Sequence, residues 1–573
     1  MLLLLLSLAL SPSRAQPPPQ PQVADIIVFG STPAAIVAAV AAARANNSVV
    51  LVDTAQRLGG LMAGGLGFTD VGDAFAIGGL AREVFVRNAR AYNASATAPL
   101  YQVEPHVIQS VFTAMLAEAG VRYARAVDAT IAAATVAAGR LQGFALSSGA
   151  SFSGAVFIDG SYEGDLIVAA GTLATILPAP PPARGPVLYA IGREDRRVYN
   201  ESWAGRREPF GFPFDMRPIS PLDASGALLP LLTARTFAPV NSGDALTQGY
   251  NFRLCAVKRS QSPRNFLPMP APAPYNRSRW ELLRRFAALP GVNSHTEFFS
   301  LGPLPGGAKY DMNNGCLIST DFTGASWPYP LGDASTRRAI REAHKQYMLQ
   351  FFDVLATDAA IPAAIRAAVA DVGLCADEFA AGGGWPEQLY VREVLRLVGD
   401  RVLAQGDIWG GATPADFGAA SIGLGSYAAD GHYAQRGPCI AYNDSGGAPR
   451  CRMATSEAEI ADAAARGVLW TGGEGYVGAT SASELYQIPY FALLPRRQDA
   501  QNLLSPTCPS ASHVVFASLR VEPTFMVMGH AAGVAAAQAV KAGIAVQDVP
   551  VSSLHAELAR EGAVLCHKNY PNC

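Results

Sequence analysis

The chain has 573 residues, enough for more than one domain and a sizeable core, and half of them are hydrophobic. Its formal net charge of −2 indicates neither a nucleic acid nor an anionic membrane surface as a partner. Beyond the first residues, the longest apolar candidate, 525–542, is interrupted by His530 and Gln538 and predicts a buried helix. Composition therefore favours a large enzyme without a membrane span.

The first residues are typical of a secretory signal peptide. Residues 1–10 are rich in leucine, and Ser13-Arg14-Ala15 offers small residues at positions −3 and −1 for cleavage before Gln16. The n-region is imperfect, because it contains no Lys or Arg. We predict a signal peptide over 1–15 and a proline-rich spacer over 16–23.

Cysteines and glycosylation sequons also favour the secretory route. The eight cysteines form no C-x-x-C pair, which argues against a catalytic dithiol. Candidates for short-range disulfides are Cys439 with Cys451 and Cys566 with Cys573. Acceptor sequons begin at Asn46, Asn93, Asn200, Asn276 and Asn443. Together with the leader, these features predict a secreted or lumenal glycoprotein.

The first structural unit is a predicted βαβ element. The run 25–29, rich in β-branched residues, is typical of a buried parallel strand that stops at Gly30. A helix is predicted over 33–44, capped by the preceding Ser-Thr pair, and a second strand over 49–52 ends at Asp53. An acidic residue roughly 20 residues after the turn is where dinucleotide-binding units hold a ribose hydroxyl.

The glycine fingerprint of such units is only partly present. The expected G-x-G-x-x-G is Gly30-Ser-Thr-Pro-Ala-Ala35 here, so a βαβ unit of some other α/β protein stays an alternative. Small residues still allow a close approach of the backbone, and the helix N-terminus still offers N–H groups to a pyrophosphate. A second glycine-rich segment follows directly, with the sequence RLGGLMAGGLGFTD over 57–70.

With this second segment the chain resembles the FAD-dependent oxidoreductases that carry G-G-x-x-x-x-G-L-G-x-T-D after the first βαβ unit. Further matching segments lie at 104–107, 159–166, 192–194, 251–255, 309–311, 377–379, 389–393, 486–490, 502–504 and 518–526. The resemblance implies an α/β fold: a Rossmann-like FAD-binding domain of the glutathione-reductase type with an inserted, mixed α+β substrate domain. We predict that 24–191 and 485–573 form the FAD-binding domain with a C-terminal tail, and that 192–484 forms the substrate or cap domain.

The resemblance also implies which residues hold the cofactor, FAD. They lie in the first turn, the ribose position, the second glycine-rich segment, a later strand end and a late helix. The predicted cofactor-binding residues are Gly30, Ser31, Thr32, Pro33, Ala34, Asp53, Arg57, Gly59, Gly60, Leu61, Gly65, Gly67, Asp159, Gly160, Glu522 and Gly529.

The late helix is predicted to begin after Glu522-Pro523 and to run to Ala542. Small residues such as Gly529 and Gly533 recur along it at three- and four-residue spacing, which allows tight packing on the first helix. In related flavoproteins such a helix directs its N-terminus at the pyrimidine edge of the flavin, where its partial positive charge stabilises the reduced anion. A buried helix with structural duty alone is the alternative.

Catalytic candidates are His432 and His513 as the base and Arg520 as a positive charge near the flavin or substrate. For each histidine the alternative is a purely structural role. For Arg520 the alternative is an ion pair with Glu522 or another carboxylate. The eight histidines form neither H-x-H nor H-E-x-x-H, so no metal site is predicted. The chain contains no G-x-S-x-G elbow, which argues against an α/β-hydrolase.

These observations predict an FAD-dependent oxidase or dehydrogenase that takes a hydride from a small organic substrate to flavin N5. No second strand–glycine loop–helix unit for NADPH is evident, so dioxygen or an external acceptor is the expected oxidant. A redox-neutral flavin-dependent isomerase or lyase stays open. So does a secreted glycoprotein that keeps the fold without catalysis.

Overall fold

The structure is a computed structural model that describes residues 21–173, 187–211, 213–409, 415–478 and 484–567. The predicted signal peptide and Cys573 lie outside these residues. Within them the helices are α1 (Pro33–Arg44), α2 (Gly60–Ala63), α3 (Gly79–Ala91), α4 (Pro105–Glu118), α5 (Asp165–Ala170), α6 (Arg196–Tyr199), α7 (Glu281–Ala287), α8 (Ala334–Thr357), α9 (Ala363–Ala370), α10 (Gln405–Trp409), α11 (Ala415–Ala420), α12 (Glu457–Ala465), α13 (His513–Leu519), α14 (Glu522–Ala542) and α15 (Val551–Arg560).

The strands of the described residues fall into five sheets. In chain order they are β1 (Gln22–Phe29), β2 (Val49–Asp53), β3 (Arg122–Arg125), β4 (Ile131–Ala137), β5 (Arg140–Leu146), β6 (Ser151–Asp159), β7 (Gly171–Leu173), β8 (Val187–Ile191), β9 (Met216–Arg217), β10 (Leu254–Lys258), β11 (Phe266–Leu267), β12 (Phe299–Pro303), β13 (Lys309–Asn314), β14 (Val372–Cys375), β15 (Leu395–Leu397), β16 (Ser421–Gly425), β17 (Gln435–Asn443), β18 (Pro449–Met453), β19 (Leu469–Glu474), β20 (Tyr486–Pro489) and β21 (Leu503–Leu504).

The largest sheet has the order β3-β2-β1-β6-β5-β4. β1 pairs in parallel with β2 and β6, β2 pairs in parallel with β3, and β21 adds in parallel to the end of β6. The antiparallel strands β4 and β5 form a hairpin that turns at Ala138-Gly139. Because β1 and β2 flank α1 in sequence, the predicted βαβ element and the Rossmann-like fold class are confirmed.

Helices α1 and α14 pack closely against each other, as the small-residue spacing predicted. A Cβ atom on Gly529 would lie 2.3 Å from the carbonyl oxygen of Ala34, and one on Gly533 would lie 2.3 Å from that of Ala38. Both contacts are shorter than van der Waals distances, so these positions accept only hydrogen. The N-terminus of α14 is thereby fixed beside the N-terminus of α1.

The central part of the chain adds antiparallel sheets and the long helix α8. The five-stranded sheet has the order β11-β14-β10-β13-β12, and the four-stranded sheet has the order β18-β17-β19-β9. This mixed architecture agrees with the predicted α+β character. β16 lies within the predicted cap segment, yet it pairs with β20 and packs on α14. The exact domain limits stay a prediction.

Two disulfides each join a pair of neighbouring strands in the central region. The strands of the first pair are far apart in the sequence, and those of the second are consecutive. Cys255 of β10 is bonded to Cys375 of β14, and Cys439 of β17 is bonded to Cys451 of β18. The second of these pairs was predicted from its short spacing, whereas the first, with a sequence separation of 120 residues, was not. Among the described cysteines, Cys316 and Cys508 are free and buried.

The surface of the described chain bears on the predicted cellular route. The asparagines of all five sequons are exposed. No helix within the described ranges has the length and apolar character needed to cross a membrane. The exposure of the five asparagines is compatible with a glycoprotein of the secretory pathway.

Candidate active site

The turn between β1 and α1 is shaped by its glycine and its capping threonine. Gly30 has φ +98°, and a Cβ atom there would lie 2.7 Å from the backbone nitrogen of Ser161. The Thr32 hydroxyl accepts a hydrogen bond from the Ala35 N–H at 3.1 Å and donates one to the carbonyl oxygen of Gly160 at 2.6 Å. Pro33 follows as the first residue of α1. The helix N-terminus is therefore preformed and tied to the end of β6.

The second glycine-rich segment packs directly on this turn. The Gly59 N–H donates to the carbonyl oxygen of Ser31 at 2.9 Å. Gly60 has φ +53°, and a Cβ atom on it would lie 2.5 Å from the Tyr162 hydroxyl and 3.0 Å from the Thr32 Cα. These glycines form a cradle in which only backbone can come this close to the start of α1.

Asp53 ends β2 at the predicted ribose position and is fully buried. Its Oδ1 accepts from the Ser31 hydroxyl at 2.6 Å and from the Ala55 N–H at 2.9 Å. Its Oδ2 accepts from the hydroxyl of Tyr123 on β3. Both oxygens of the Asp53 carboxylate therefore accept hydrogen bonds from the protein itself.

A cavity of about 490 Å³ opens directly beyond Asp53. Its lining includes residues 54–57 after β2, residues 128–131 after β3, and arginines of α8. Ligands of open parallel sheets bind outside the carboxyl ends of the strands, which is where this cavity lies. Arg57, at its edge, donates to Gln109 at 2.7 Å and lies 3.5 Å from a carboxylate oxygen of Glu387.

Asp159 and Gly160, at the end of β6, hold the next stretch of chain in place. The Asp159 carboxylate accepts from the Ser161 hydroxyl at 2.7 Å and from the Leu166 and Ile167 N–H groups at 2.9 and 3.0 Å. Burial raises the pKa of Asp159 to about 7 in spite of these donors. A Cβ atom on Gly160 would lie 2.6 Å from the Ala35 Cβ. Asp159 therefore shapes the loop, and Gly160 contacts α1.

Glu522, the first residue of α14, is buried in the same place. Its Oε1 is hydrogen-bonded to the Tyr162 hydroxyl, which accepts from the Leu61 N–H at 2.9 Å. Its Oε2 is buried and has no hydrogen-bond partner among the described residues. Burial raises the pKa of Glu522 to about 8. An unpartnered carboxyl oxygen thus lies at the N-terminus of the helix that the sequence assigned to the flavin.

The segment after the cradle reaches the central domain. A Cβ atom on Gly65 would lie 2.0 Å from the carbonyl oxygen of Arg253, and one on Gly67 would lie 2.7 Å from that of Val103. The Arg253 guanidinium binds both carboxylate oxygens of Asp311, at 2.8 and 2.6 Å. Asp311 Oδ2 also accepts from the Phe68 N–H at 2.8 Å. Gly65 and the Phe68 N–H therefore form a junction between the glycine-rich segment and Arg253 and Asp311 of the central part of the chain.

Beside this junction lies a row of alternating charges that we name the charge ladder: Arg520, Asp430, His432, Asp321 and Arg392. Arg520 Nη2 and Asp430 Oδ2 are 2.7 Å apart, and Asp430 Oδ2 lies 3.7 Å from His432 Nε2. His432 Nδ1 lies 2.7 Å from Asp321 Oδ2, and Arg392 Nη2 donates to Asp321 Oδ1 at 2.8 Å. The structure thus brings His432 and Arg520, two of the predicted catalytic residues, into one cluster.

The electrostatics of the charge ladder keep its carboxylates ionised. Burial alone would raise the pKa of Asp321, but the charges of Arg392 and His432 outweigh it and hold that pKa well below the usual range. Burial likewise opposes ionisation of Asp430, and Arg520 and His432 again lower its pKa. Arg520 forms an ion pair with Asp430 and not with Glu522. The ion pair that the sequence left open as the alternative role of Arg520 is therefore present, with another carboxylate.

His513 lies apart from the charge ladder, at the start of α13. Its Nδ1 is 3.0 Å from Glu393 Oε2, and the ring is almost fully buried. Burial alone would raise the pKa of Glu393, but His513 and Arg396 lower it to about 2. Gln248 connects the two regions, since its side chain donates to Glu393 at 2.9 Å and accepts from the backbone N–H of His432 at 2.7 Å. This placement suits a structural role better than contact with a substrate.

Several residues of the site were missed by the sequence interpretation. Tyr162 and Asp430 lie within segments that had been singled out, next to named residues, so their position in the motif was an available signal. Asp321 and Tyr123 stand in no such pattern, and only long-range folding brings them to the site. Within the described residues, no cluster of histidine, cysteine and carboxylate side chains is suited to a metal ion.

The residues present fit the cofactor that the resemblance implies. The glycine cradle at Gly60, the cavity beyond Asp53 and the unpartnered oxygen of Glu522 follow one another along the carboxyl edge of the parallel sheet. Cradle and helix N-terminus suit a pyrophosphate, and the cavity suits an adenosine. The residues that would hold FAD are those of the turn, the cradle and the start of α14.

The likeness of this chain to solved structures is limited. A thioredoxin reductase from T. acidophilum is 14% identical, with a TM-score of 0.16, over 24% of this chain and 35% of that one. A flavin-dependent brominase is 15% identical, with a TM-score of 0.19, over 24% and 38%. A geranylgeranyl bacteriochlorophyll reductase-like protein from Thermoplasma acidophilum is 15% identical, with a TM-score of 0.20, over 27% and 43%.

In each case the match spans less than half of the solved chain. None of the curated proteins matches this sequence. The family model described as FAD dependent oxidoreductase, in contrast, matches residues 25–558. This match covers nearly the whole chain, and it agrees with the parallel sheet, the glycine cradle and the first βαβ unit described above. The chain therefore belongs to the FAD-dependent oxidoreductase family and is an oxidoreductase that binds FAD.

Proposed function

We propose that the protein is a secreted or lumenal enzyme that oxidises a small organic substrate by hydride transfer, with dioxygen or an external acceptor as the final oxidant. The observation that carries this proposal is the charge ladder, because it begins two residues before Glu522 at the start of α14. Arg520 is therefore close in sequence to the helix end assigned to the flavin, and Asp430 and then His432 follow it in the ladder.

When bound, FAD supplies a hydride acceptor at N5 of its ring system. The chain itself has to remove the accompanying proton and to balance charge nearby. His432 is partly exposed, and its ring lies between two ionised carboxylates, so it can take a proton from a substrate O–H or N–H group. Arg520 provides a fixed positive charge whose counter-ion, Asp430, keeps it in place.

Polar and aromatic side chains lie near the charge ladder on the side of the proposed cap domain. Asp70 accepts from the Tyr427 hydroxyl at 2.8 Å, and Phe68, two residues before it, is partly exposed. Tyr476 packs against the exposed Phe210, with ring centroids 5.8 Å apart. Polar acceptors and aromatic faces of this kind are suited to a small, uncharged organic molecule.

Anaerobic titration of the yellow protein tests the proposal. We expect a true substrate from a panel of alcohols, sugars and amines to bleach the flavin absorption, and air or an added acceptor to restore it. Turnover of a substrate while the flavin stays oxidised would instead show a redox-neutral isomerase or lyase. A protein that never takes up FAD would contradict catalysis altogether.

Secretion is supported by the predicted leader, the exposed sequons and the disulfides. Expression of the full chain in a eukaryotic secretory host tests it. We expect mature protein in the medium that begins at Gln16 and loses mass on treatment with a glycosidase. Retention of an uncleaved, unglycosylated chain inside the cells would contradict it.

A further inference from the structure

We propose that Asp321, held in place by Arg392, is the positioning residue that fixes the His432 ring for proton transfer. The inference rests on the proposed function, because it takes His432 as the group that receives the substrate proton. It adds two residues, Asp321 and Arg392, that no sequence motif assigns to the reaction.

The Asp321 carboxylate is fixed on both sides. Its Oδ2 lies 2.7 Å from His432 Nδ1, and its Oδ1 accepts from Arg392 Nη2 at 2.8 Å. Arg392 is itself anchored, since its Nε donates to the carbonyl oxygen of Gly249 at 3.0 Å and its guanidinium lies 4.5 Å from the centre of the Tyr390 ring. With Asp321 and Arg392 both almost completely buried, the carboxylate has no room to rotate.

The charge state of Asp321 determines which ring nitrogen carries hydrogen. An ionised carboxylate only accepts hydrogen bonds, so His432 Nδ1 must be the donor in this contact. In a neutral imidazole the other nitrogen, Nε2, then holds the lone pair. Asp321 therefore selects the Nδ1–H tautomer.

The second ring nitrogen is left available to a substrate. Among the described residues Nε2 makes no hydrogen bond, and its nearest charged neighbour is Asp430 Oδ2 at 3.7 Å. The His432 side chain is 11% exposed, and Asp321, its partner on the Nδ1 side, is 4% exposed. A substrate O–H or N–H group that donates to Nε2 completes the arrangement.

The charge ladder is balanced before the proton arrives. Two arginines face two aspartates, so the charges of the ladder cancel whenever the His432 ring between them is neutral. A proton on Nε2 gives the ring a positive charge between the two carboxylates, so both Asp321 and Asp430 stabilise the product of the transfer. Asn314, whose amide nitrogen lies 3.4 Å from Nδ1, is uncharged and leaves this balance unaltered.

Histidine ¹⁵N NMR of the full-length protein, labelled on its histidines, tests the inference without a substrate. The variant His432→Gln identifies the His432 signals among those of the eight histidines. At a pH where the ring is neutral, we expect a protonated Nδ1 and an unprotonated Nε2. The opposite tautomer, or a ring that stays doubly protonated wherever the protein is folded, would overturn the inference.

Variants separate positioning from a general loss of packing. Asp321→Asn is expected to abolish the preference for the Nδ1–H tautomer, and Asp321→Glu is expected to retain part of it. Asp311→Asn is the matched control, because it removes a similarly buried arginine partner that does not touch a histidine. Unchanged His432 signals in Asp321→Asn would contradict the inference. If Asp321→Asn does not fold, the tautomer of His432 in the wild type decides whether the inference holds.

With a substrate in hand, Asp321→Asn is expected to lower kcat by about 10²- to 10⁴-fold, the usual contribution of a general base, with little change in KM. A KM effect alone would contradict positioning. The proposed function fails separately, through absence of FAD or of flavin bleaching, whatever tautomer His432 adopts.

Discussion

The cofactor region and the charge ladder are built in different ways. The cofactor region uses backbone groups and small residues, most of them within the span 30–61, and its contacts are short distances between glycines, carbonyls and one capping threonine. The charge ladder uses long charged side chains from positions 321 to 520. The first region holds a ligand by shape, and the second holds protons and charges by electrostatics.

This difference shows which property of each region is sensitive to substitution. An added methyl group is costly in the cofactor region, where no space remains, but a changed charge there matters at few positions. In the charge ladder, each side chain neutralises the next, so removal of one member leaves a buried charge unpaired. Four tests break or sharpen this contrast.

The largest effect is expected from Arg392→Gln. The substitution leaves Asp321 buried without its cation, and breaking such a pair costs about 3–5 kcal/mol of unfolding free energy. Denaturant unfolding measures the loss. Arg235→Gln is the matched control on an exposed pair with Glu457 and is expected to give no measurable change. A loss below about 1 kcal/mol in Arg392→Gln would contradict the role given to buried charge.

Glu522→Gln tests the one titratable group of the cofactor region that is placed at a helix N-terminus. Burial raises its pKa to about 8, so the folded apoprotein keeps a proton that the unfolded chain releases at about pH 4.3. The contribution of this group to the free energy of unfolding is therefore fully present below about pH 4.3, and it is lost as the pH rises to about 8.

The glutamine variant carries no such proton, so its stability should exceed that of the wild type increasingly from pH 5 to 8, by roughly 2–4 kcal/mol at the upper end. Thermal unfolding at several pH values measures this. Glu457→Gln, at an exposed carboxylate, should leave the slope over this range unaltered. Parallel pH profiles for the wild type and Glu522→Gln would disprove the raised pKa.

A smaller effect is expected from Gly529→Ala. The new Cβ atom would lie 2.3 Å from the Ala34 carbonyl oxygen, and overpacking of this kind costs about 1–3 kcal/mol. Displacement of α1 should also weaken FAD binding, which fluorescence titration of the apoprotein measures. Gly406→Ala is the control, because open space surrounds that position. Equal FAD affinity in both variants would contradict a tight α1–α14 contact.

The cofactor region was largely predictable from the sequence, and the charge ladder was not. The limits of α1 were predicted correctly, because Thr32, Pro33 and the apolar runs around them act locally. The packing of Gly529 on α1 followed from residue spacing alone. The partners of His432 did not, because Asp321 has no pattern around it and the matching segment 389–393 does not indicate what Arg392 contacts. The Cys255–Cys375 disulfide is a long-range contact of the same kind.

The most direct test of the whole account compares absorption spectra of purified wild type and His432→Gln, before and after anaerobic addition of a bleaching substrate. Both proteins should be yellow, since the cofactor region is intact in each, and FAD should enter the supernatant on acid precipitation if it is bound non-covalently. Only the wild type should bleach rapidly. A colourless wild type that also fails to take up FAD, or equal bleaching rates in the two proteins, would contradict the division between cofactor region and charge ladder.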